Sequence, residues 1–169
     1  GFILATLLLG GIAWQTFSIS TRINHLSEWV SQTNEVIDSI RVLGAETQDT
    51  YSEHQLALTE QVPVDPNQFF RRKKKIETLI RIVRAAEKDN PIQAQRSERI
   101  ETLLNEMLLE MEGTLGSPSS RDSAGVSLKR KMDRLRRAIR ELEDMEFEIL
   151  RDRTLQVRKS IEVGFWFSL

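Results

Sequence analysis

Apolar residues recur every third or fourth position along most of this chain, and the recurrence is interrupted at three places. From Arg22 to Val62 there is no proline, and a seam of apolar or small residues runs through Leu26, Val30, Thr33, Ile37, Ile40, Gly44, Thr47, Tyr51, His54 and Leu58. Alternating steps of four and three are the spacing of one helix face against a partner helix. At ~1.5 Å per residue, this first helix alone is ~60 Å long. The first half of its seam is apolar, whereas Gly44, Thr47 and His54 dilute the second. The helix is expected to end near Pro63.

Asp65-Pro66 predicts the next start, with Asp as cap and Pro at the first helical position, where no intrahelical N–H bond is lost. The second helix shows Phe69 or Phe70, then Ile76, Leu79, Ile80 and Val83 on one face. Asn90-Pro91 repeats the same chemistry. A third helix then carries Ile100, Leu103, Leu104, Met107, Leu108 and Met111. The Gly-, Ser- and Pro-rich stretch 113–127 predicts a loop. A fourth helix is expected from near Ser127, with the seam Leu128, Met132, Leu135, Ile139, Leu142, Met145 and Ile149, continuing through Val157 and Ile161.

The ends differ from the middle. Apolar residues dominate from Phe2 to Trp14, and no charge occurs before Arg22. A bilayer span needs roughly 20 mostly apolar residues, and Trp14 near the polar end suits an interface. Val163–Leu169 is apolar and aromatic. The reading is a transmembrane helix over 1–21, a helical bundle over 22–162, and the start of a second transmembrane helix over 163–169. A signal peptide is the rival for the first stretch, and a tail packed on the bundle for the second. If both ends enter one bilayer, the helices between them must be even in number, because each short connection reverses the chain. Asn90-Pro91 must then be a turn and not a kink. The fold expected is all-α: an up-down-up-down four-helix bundle whose long first and fourth helices continue into the membrane.

Composition narrows the chemistry. The 169 residues include no Cys, which excludes disulfides, a thiol nucleophile and cysteine-ligated zinc. The formal net charge of -1 gives no global field for nucleic acid. His25 and His54 are far apart and no HExxH occurs, so no metal site and no cofactor is expected. The run Arg71–Lys75 reads as a solvated surface, with an anion or polysaccharide contact as the alternative. The acidic stretch Glu141–Glu148 has no nucleophile, Gly-rich loop or His beside it. Helical spacing puts it on an outer face, with Arg137 four residues before Glu141 and Arg140 four before Asp144. No catalytic constellation is present, and an enzyme is not expected. Arg151, Arg153, Arg158 and Lys159 lie where lipid headgroups would meet them, against the positive-inside tendency.

Three stretches resemble the third class of CHASE domains, the extracellular sensory modules of bacterial histidine kinases and related receptors. Val83-Arg84 followed by Asp89, Asn90, Pro91 and Gln93 is similar to that family's "L…DNPxQ" junction. Lys131-Met132-Asp133-Arg134-Leu135-Arg136 is similar to the entry to its last helix. Met145, Glu146, Ile149, Leu150 and Arg153 are similar to its segment near the membrane. Ala45-Glu46-Thr47 matches the start of a further motif, whose Arg-Gly-Tyr is replaced here by Gln48-Asp49-Thr50-Tyr51. The resemblance covers roughly residues 25–160. It implies a homodimeric input domain between two spans of the bacterial inner membrane, with 22–162 periplasmic, responding to an extracytoplasmic stimulus.

Thr47, Tyr51 and His54 fall on one face by the i, i+4, i+7 rule and form the candidate sensing face. The alternative is a polar seam satisfied by its neighbours. Leu26, Val30, Met145, Ile149 and Val157 form the candidate signal-transfer seam. Two other roles remain for the chain: a structural bundle that holds membrane partners without sensing, and a soluble nucleic-acid-associated bundle using Arg71–Lys75.

Overall fold

A computed structural model describes the backbone of residues 2–60, 63–88, 90–115 and 121–166. It describes the side chains of residues 28, 30–60, 63–88, 90–115, 125–156, 158 and 159. Within these residues the chain is all-helical, with α1 (Phe2–Glu60), α2 (Pro66–Glu87), α3 (Pro91–Thr114) and α4 (Arg121–Trp166). The expected spans 1–21 and 163–169 lie outside the described side chains, although their backbone is helical from Phe2 and as far as Trp166. Among the described residues no helix is long and apolar enough to cross a membrane.

Both proline junctions form as their sequences dictate. Asp65 is extended (φ -66°, ψ 112°) and its Oδ1 accepts the Asn67 amide at 2.9 Å. Asn90 is extended too (φ -115°, ψ 105°), and its Oδ1 accepts the amides of Ile92 at 3.1 Å and Gln93 at 3.4 Å. Each side chain thus satisfies amides that the first helical turn leaves without a carbonyl, and Pro occupies the first position. Asn90-Pro91 is therefore a complete stop and restart, and α2 and α3 are separate helices.

One boundary differs from expectation. The helical backbone of α4 begins at Arg121, not near Ser127. After Pro118 nothing in Arg121–Ser123 forbids a helix, and Asp and Ser are favourable in a first turn.

The chain divides into two compact units, Val36–Glu146 and a second built from Gly1–Glu35 with Phe147–Leu169. Within Val36–Glu146 all four helices contribute to one core. Ile40 and Leu43 come from α1, and Phe69, Ile76, Ile80 and Val83 from α2. Ile100, Leu104, Met107, Leu108 and Met111 come from α3, and Leu128, Met132, Leu135, Ala138, Ile139 and Leu142 from α4. The alternative at the start of α2 is resolved: Phe69 is buried, whereas Phe70 is 47% exposed and meets Phe69 edge-on. On α1 Leu43 and Thr50 are buried, while the expected Gly44 and Tyr51 beside them are half-buried. Thr33, Ile37, Ile40, Thr47 and His54 keep their expected buried places, so only the alternate position of the seam moves, by one residue.

Ion pairs lace the outside of this unit. Arg72 and Lys75 of α2 reach Glu53 (3.2 Å) and Glu46 of α1. Lys73 and Arg84 of α2 reach Glu112 (2.6 Å) and Glu101 of α3. Lys131 of α4 reaches Glu110 of α3 at 2.6 Å, and Arg41 of α1 reaches Glu143 of α4 at 2.8 Å. Three members of the basic run Arg71–Lys75 are thus engaged with carboxylates of neighbouring helices, and only Arg71 and Lys74 stand exposed without a described partner. In the other unit, Arg153 Nη1 of α4 donates to the buried Thr33 Oγ1 of α1 at 2.9 Å.

Candidate functional site

The polar residues expected to form a sensing face lie inside the Val36–Glu146 unit, each in a different state. Thr47 is fully buried and its hydroxyl donates to the Leu43 carbonyl at 2.7 Å. This back-bond to the preceding turn is the ordinary way a helical Thr is satisfied. Tyr51 is half-buried. Burial raises the pKa of its phenol, the Arg136 guanidinium pulls it down, and Asp133 adds to the rise. Arg136 is itself held by the Gln48 amide oxygen and by Asp133.

His54 is 2% exposed, and its Nε2 lies 2.7 Å from Thr114 Oγ1 on α3. The Thr114 hydroxyl has carbonyls within reach, Met111 O at 2.8 Å and Glu110 O at 3.3 Å. Its proton goes to one of them, so Thr114 accepts from His54 Nε2–H. The ring is then the neutral Nε2–H tautomer, and Nδ1 is left buried without a partner. A second proton would have to sit on Nδ1 with no acceptor, and burial accordingly lowers the pKa of the ring.

A second polar cluster, absent from the sequence reading, lies in the same unit beside Asn90-Pro91. Glu87 ends α2 and is 2% exposed, with no hydrogen-bond partner for either carboxyl oxygen. Glu146 of α4 is 4% exposed, and its Oε1 accepts from Gln93 Nε2 of α3. Ser97 is fully buried and its hydroxyl donates to the Ala94 carbonyl at 3.1 Å. Burial pushes the Glu87 carboxyl up to about 7, with the nearby Ser97 hydroxyl opposing the rise and the Glu146 charge reinforcing it. The acidic stretch Glu141–Glu148 is therefore not all on an outer face. Glu146 turns into the core, and Glu143 pairs across to Arg41 and not within its own helix.

The seam itself carried the missing signal. Ile76, Ile80 and Val83 step by four and three, and the next step of four is Glu87. Leu128, Met132, Leu135, Ile139 and Leu142 lead by the same rhythm to Glu146, next to the expected Met145, which is half-buried. Counting back from Ile100 by three and four gives Ser97 and Gln93. A charged residue at a seam position reads as a place where the seam slips, and here the backbone does not slip.

The candidate signal-transfer residues are not brought to one place by the described contacts. Val30 and Ile149 are half-buried in the unit formed by the chain ends, and Met145 belongs to the other unit. The side chains of Leu26 and Val157 lie outside the described residues. Among the described residues no group of three or more His, Asp or Glu side chains is arranged to hold a metal ion. No family model matches the chain, and neither a characterised protein nor a solved structure matches it.

Proposed function

We propose that the chain is the extracytoplasmic input domain of a bacterial transmembrane receptor, probing its surroundings with the four-helix unit and passing a change of packing along its two long helices. The observation that carries this reading is continuity: α1 and α4 each run without a break from one compact unit into the other. A helix transmits a shift, tilt or rotation along its axis because its hydrogen-bond ladder resists bending. The two shorter helices end inside Val36–Glu146.

The up-down-up-down order belongs to the same proposal. It is supported by pairs whose numbers fall on one helix as they rise on the next: Glu46 with Lys75 and Glu53 with Arg72, Lys73 with Glu112 and Arg84 with Glu101, Gln93 with Glu146 and Glu110 with Lys131. With that order, the chain enters and leaves the four-helix unit at one end, as two spans in one membrane require. The receptor acts as a homodimer, with Leu26 and Val30 on the dimer seam and a sensor histidine kinase as the output.

A second reading, a bundle that holds membrane partners without sensing, is favoured by the satisfied state of Thr47 and of His54 Nε2. One experiment separates the two. Single cysteines placed along residues 22–37 of the protein in native membranes should crosslink with helical periodicity, and the pattern should shift when His54→Leu is added. Crosslinking at no position rejects the dimeric receptor. A periodic pattern indifferent to His54→Leu leaves the holding module.

A further inference from the structure

We propose that Glu87, Gln93 and Glu146 form a proton-operated latch: with a proton on Glu87 the Asn90-Pro91 junction is held shut against α4, and loss of that proton opens it. The inference does not rest on the receptor reading.

The geometry is that of an acid enclosed without a base. Glu87 and Glu146 reach the interior from α2 and α4, and both are more than nine-tenths buried. Among the described residues, the donors near Glu87 have other acceptors. Gln93 Nε2 serves Glu146, the Ser97 hydroxyl serves Ala94 O, and the amides of Ile92 and Gln93 serve the Asn90 cap. The charged groups on the surrounding helices are engaged as well. On α2, Arg84 pairs with Glu101 while Lys88 is exposed, and on α3, Arg96 donates to Glu141 O at 3.3 Å. On α4, Glu143 pairs with Arg41 of α1, which also meets Asp38.

An ionised Glu87 would therefore be a buried anion beside a second carboxyl, with the Ser97 hydroxyl beside it but no counter-ion among the described residues, a state that proteins avoid by protonation or by opening. A neutral carboxyl needs one acceptor for its O–H, and Glu146 and the Ser97 lone pairs are the acceptors at hand. The upward displacement of the Glu87 carboxyl to about 7 agrees with this arrangement. Opening is local because Glu87 is the last helical residue of α2, and its carbonyl accepts the Asn90 amide at 3.0 Å. Water can reach the carboxylate when this one junction lifts, while the core beyond Val83 stays packed.

The test is hydrogen–deuterium exchange of the full chain between pH 5.5 and 8.5, corrected for the intrinsic rate, with the Gln93 and Ala94 amides as reporters and those of Leu104–Met107 as controls. The latch predicts that reporter protection is lost by about tenfold per pH unit as pH rises toward the closed-state Glu87 value of about 7 and levels off above it, the factor for one coupled proton, while control amides hold. Glu87→Gln should keep the reporters protected across the range, and Glu146→Gln should move the levelling-off to lower pH, because the neighbouring charge that raises the Glu87 value is gone. Reporter exchange independent of pH in the wild type, or the same pH dependence in Glu87→Gln, overturns the proposal. If Glu87→Gln does not fold, the wild-type Glu87 carboxyl is followed by its carbon-13 shift. A midpoint matching the pH at which the change in exchange levels off sustains the latch, and a midpoint in the ordinary glutamate range rejects it.

Discussion

The two polar ends of the four-helix unit solve the same problem in opposite ways. Around His54 the interior holds a base kept neutral, with its one N–H given to Thr114. Around Glu87 it holds an acid whose buried carboxyl oxygens make no hydrogen bond. Burial disfavours the charged form in both places, so it lowers the His54 pKa and raises that of Glu87. The consequence for stability is opposite in sign. For Glu87 the folded value lies above the unfolded one, so the contribution is full below about pH 4.5 and is lost as pH rises through about 7. For His54 the folded value lies below the unfolded 6.5, so the contribution is present above that value and is lost as pH falls. The same cost of burying charge thus weakens one end in alkali and the other in acid.

The largest effect expected is at Glu87. Chemical denaturation should show the wild type losing on the order of 3 kcal/mol between pH 4.5 and well above 7, from a displacement of about two and a half pH units. Glu87→Gln should abolish that decline and leave the acid-side loss untouched. A wild-type profile flat over this range would erase the contrast between the two ends.

Next is Gln93→Ala, which removes the donor that serves Glu146. A loss of about 1–3 kcal/mol at pH 7 is expected for a buried carboxyl that loses a hydrogen bond. Equilibrium unfolding of the single and double variants with Glu146→Gln should show that the two positions are not additive, since each acts through the other.

At the other end, His54→Leu should be neutral or stabilising by up to about 1 kcal/mol, because Thr114 keeps its bond to a main-chain carbonyl and apolar volume replaces a bare Nδ1. It should also remove the decline in melting temperature below pH 6.5. A loss of several kcal/mol would show that the ring is held by more than the Thr114 bond.

The smallest effects belong to the outer ion pairs. Lys73→Ala, on the pair with Glu112, and Arg84→Ala, on the pair with Glu101, should each cost no more than about 1 kcal/mol, and less in high salt. If one cost far more than the other, the difference between the ends would lie partly on the surface and not only in the interior.

Much of this was legible in the chain before any coordinates. The proline junctions could be read because a cap and its proline act within three residues of one another, as Asp65-Pro66 and Asn90-Pro91 both do. The apolar seams of α2, α3 and α4 could be read because a helix repeats faithfully over a few turns. The sensing-face residues could be placed on one helix face, but not given their partners: Thr114 lies sixty positions from His54. The Glu87 cluster escaped because its members come from three helices, and each looks in isolation like a surface residue.

What the sequence alone determined is local: where helices start and stop, which positions are apolar, and that the interior of the second half of α1 is polar. These follow from short-range hydrogen bonding and from a period of 3.6 residues, both written in neighbouring letters. Tertiary structure decided whether a seam continues through a charged residue or slips past it. At Glu87 and Glu146 it continues, because the rigid register of a helix packed through the preceding turns carries the next residue inward whatever its chemistry. That register is set by Ile76, Ile80 and Val83 on one side and by Leu135, Ile139 and Leu142 on the other. The burial of two carboxyls is therefore a consequence of apolar packing elsewhere in the helices, a relation that no single stretch of sequence contains.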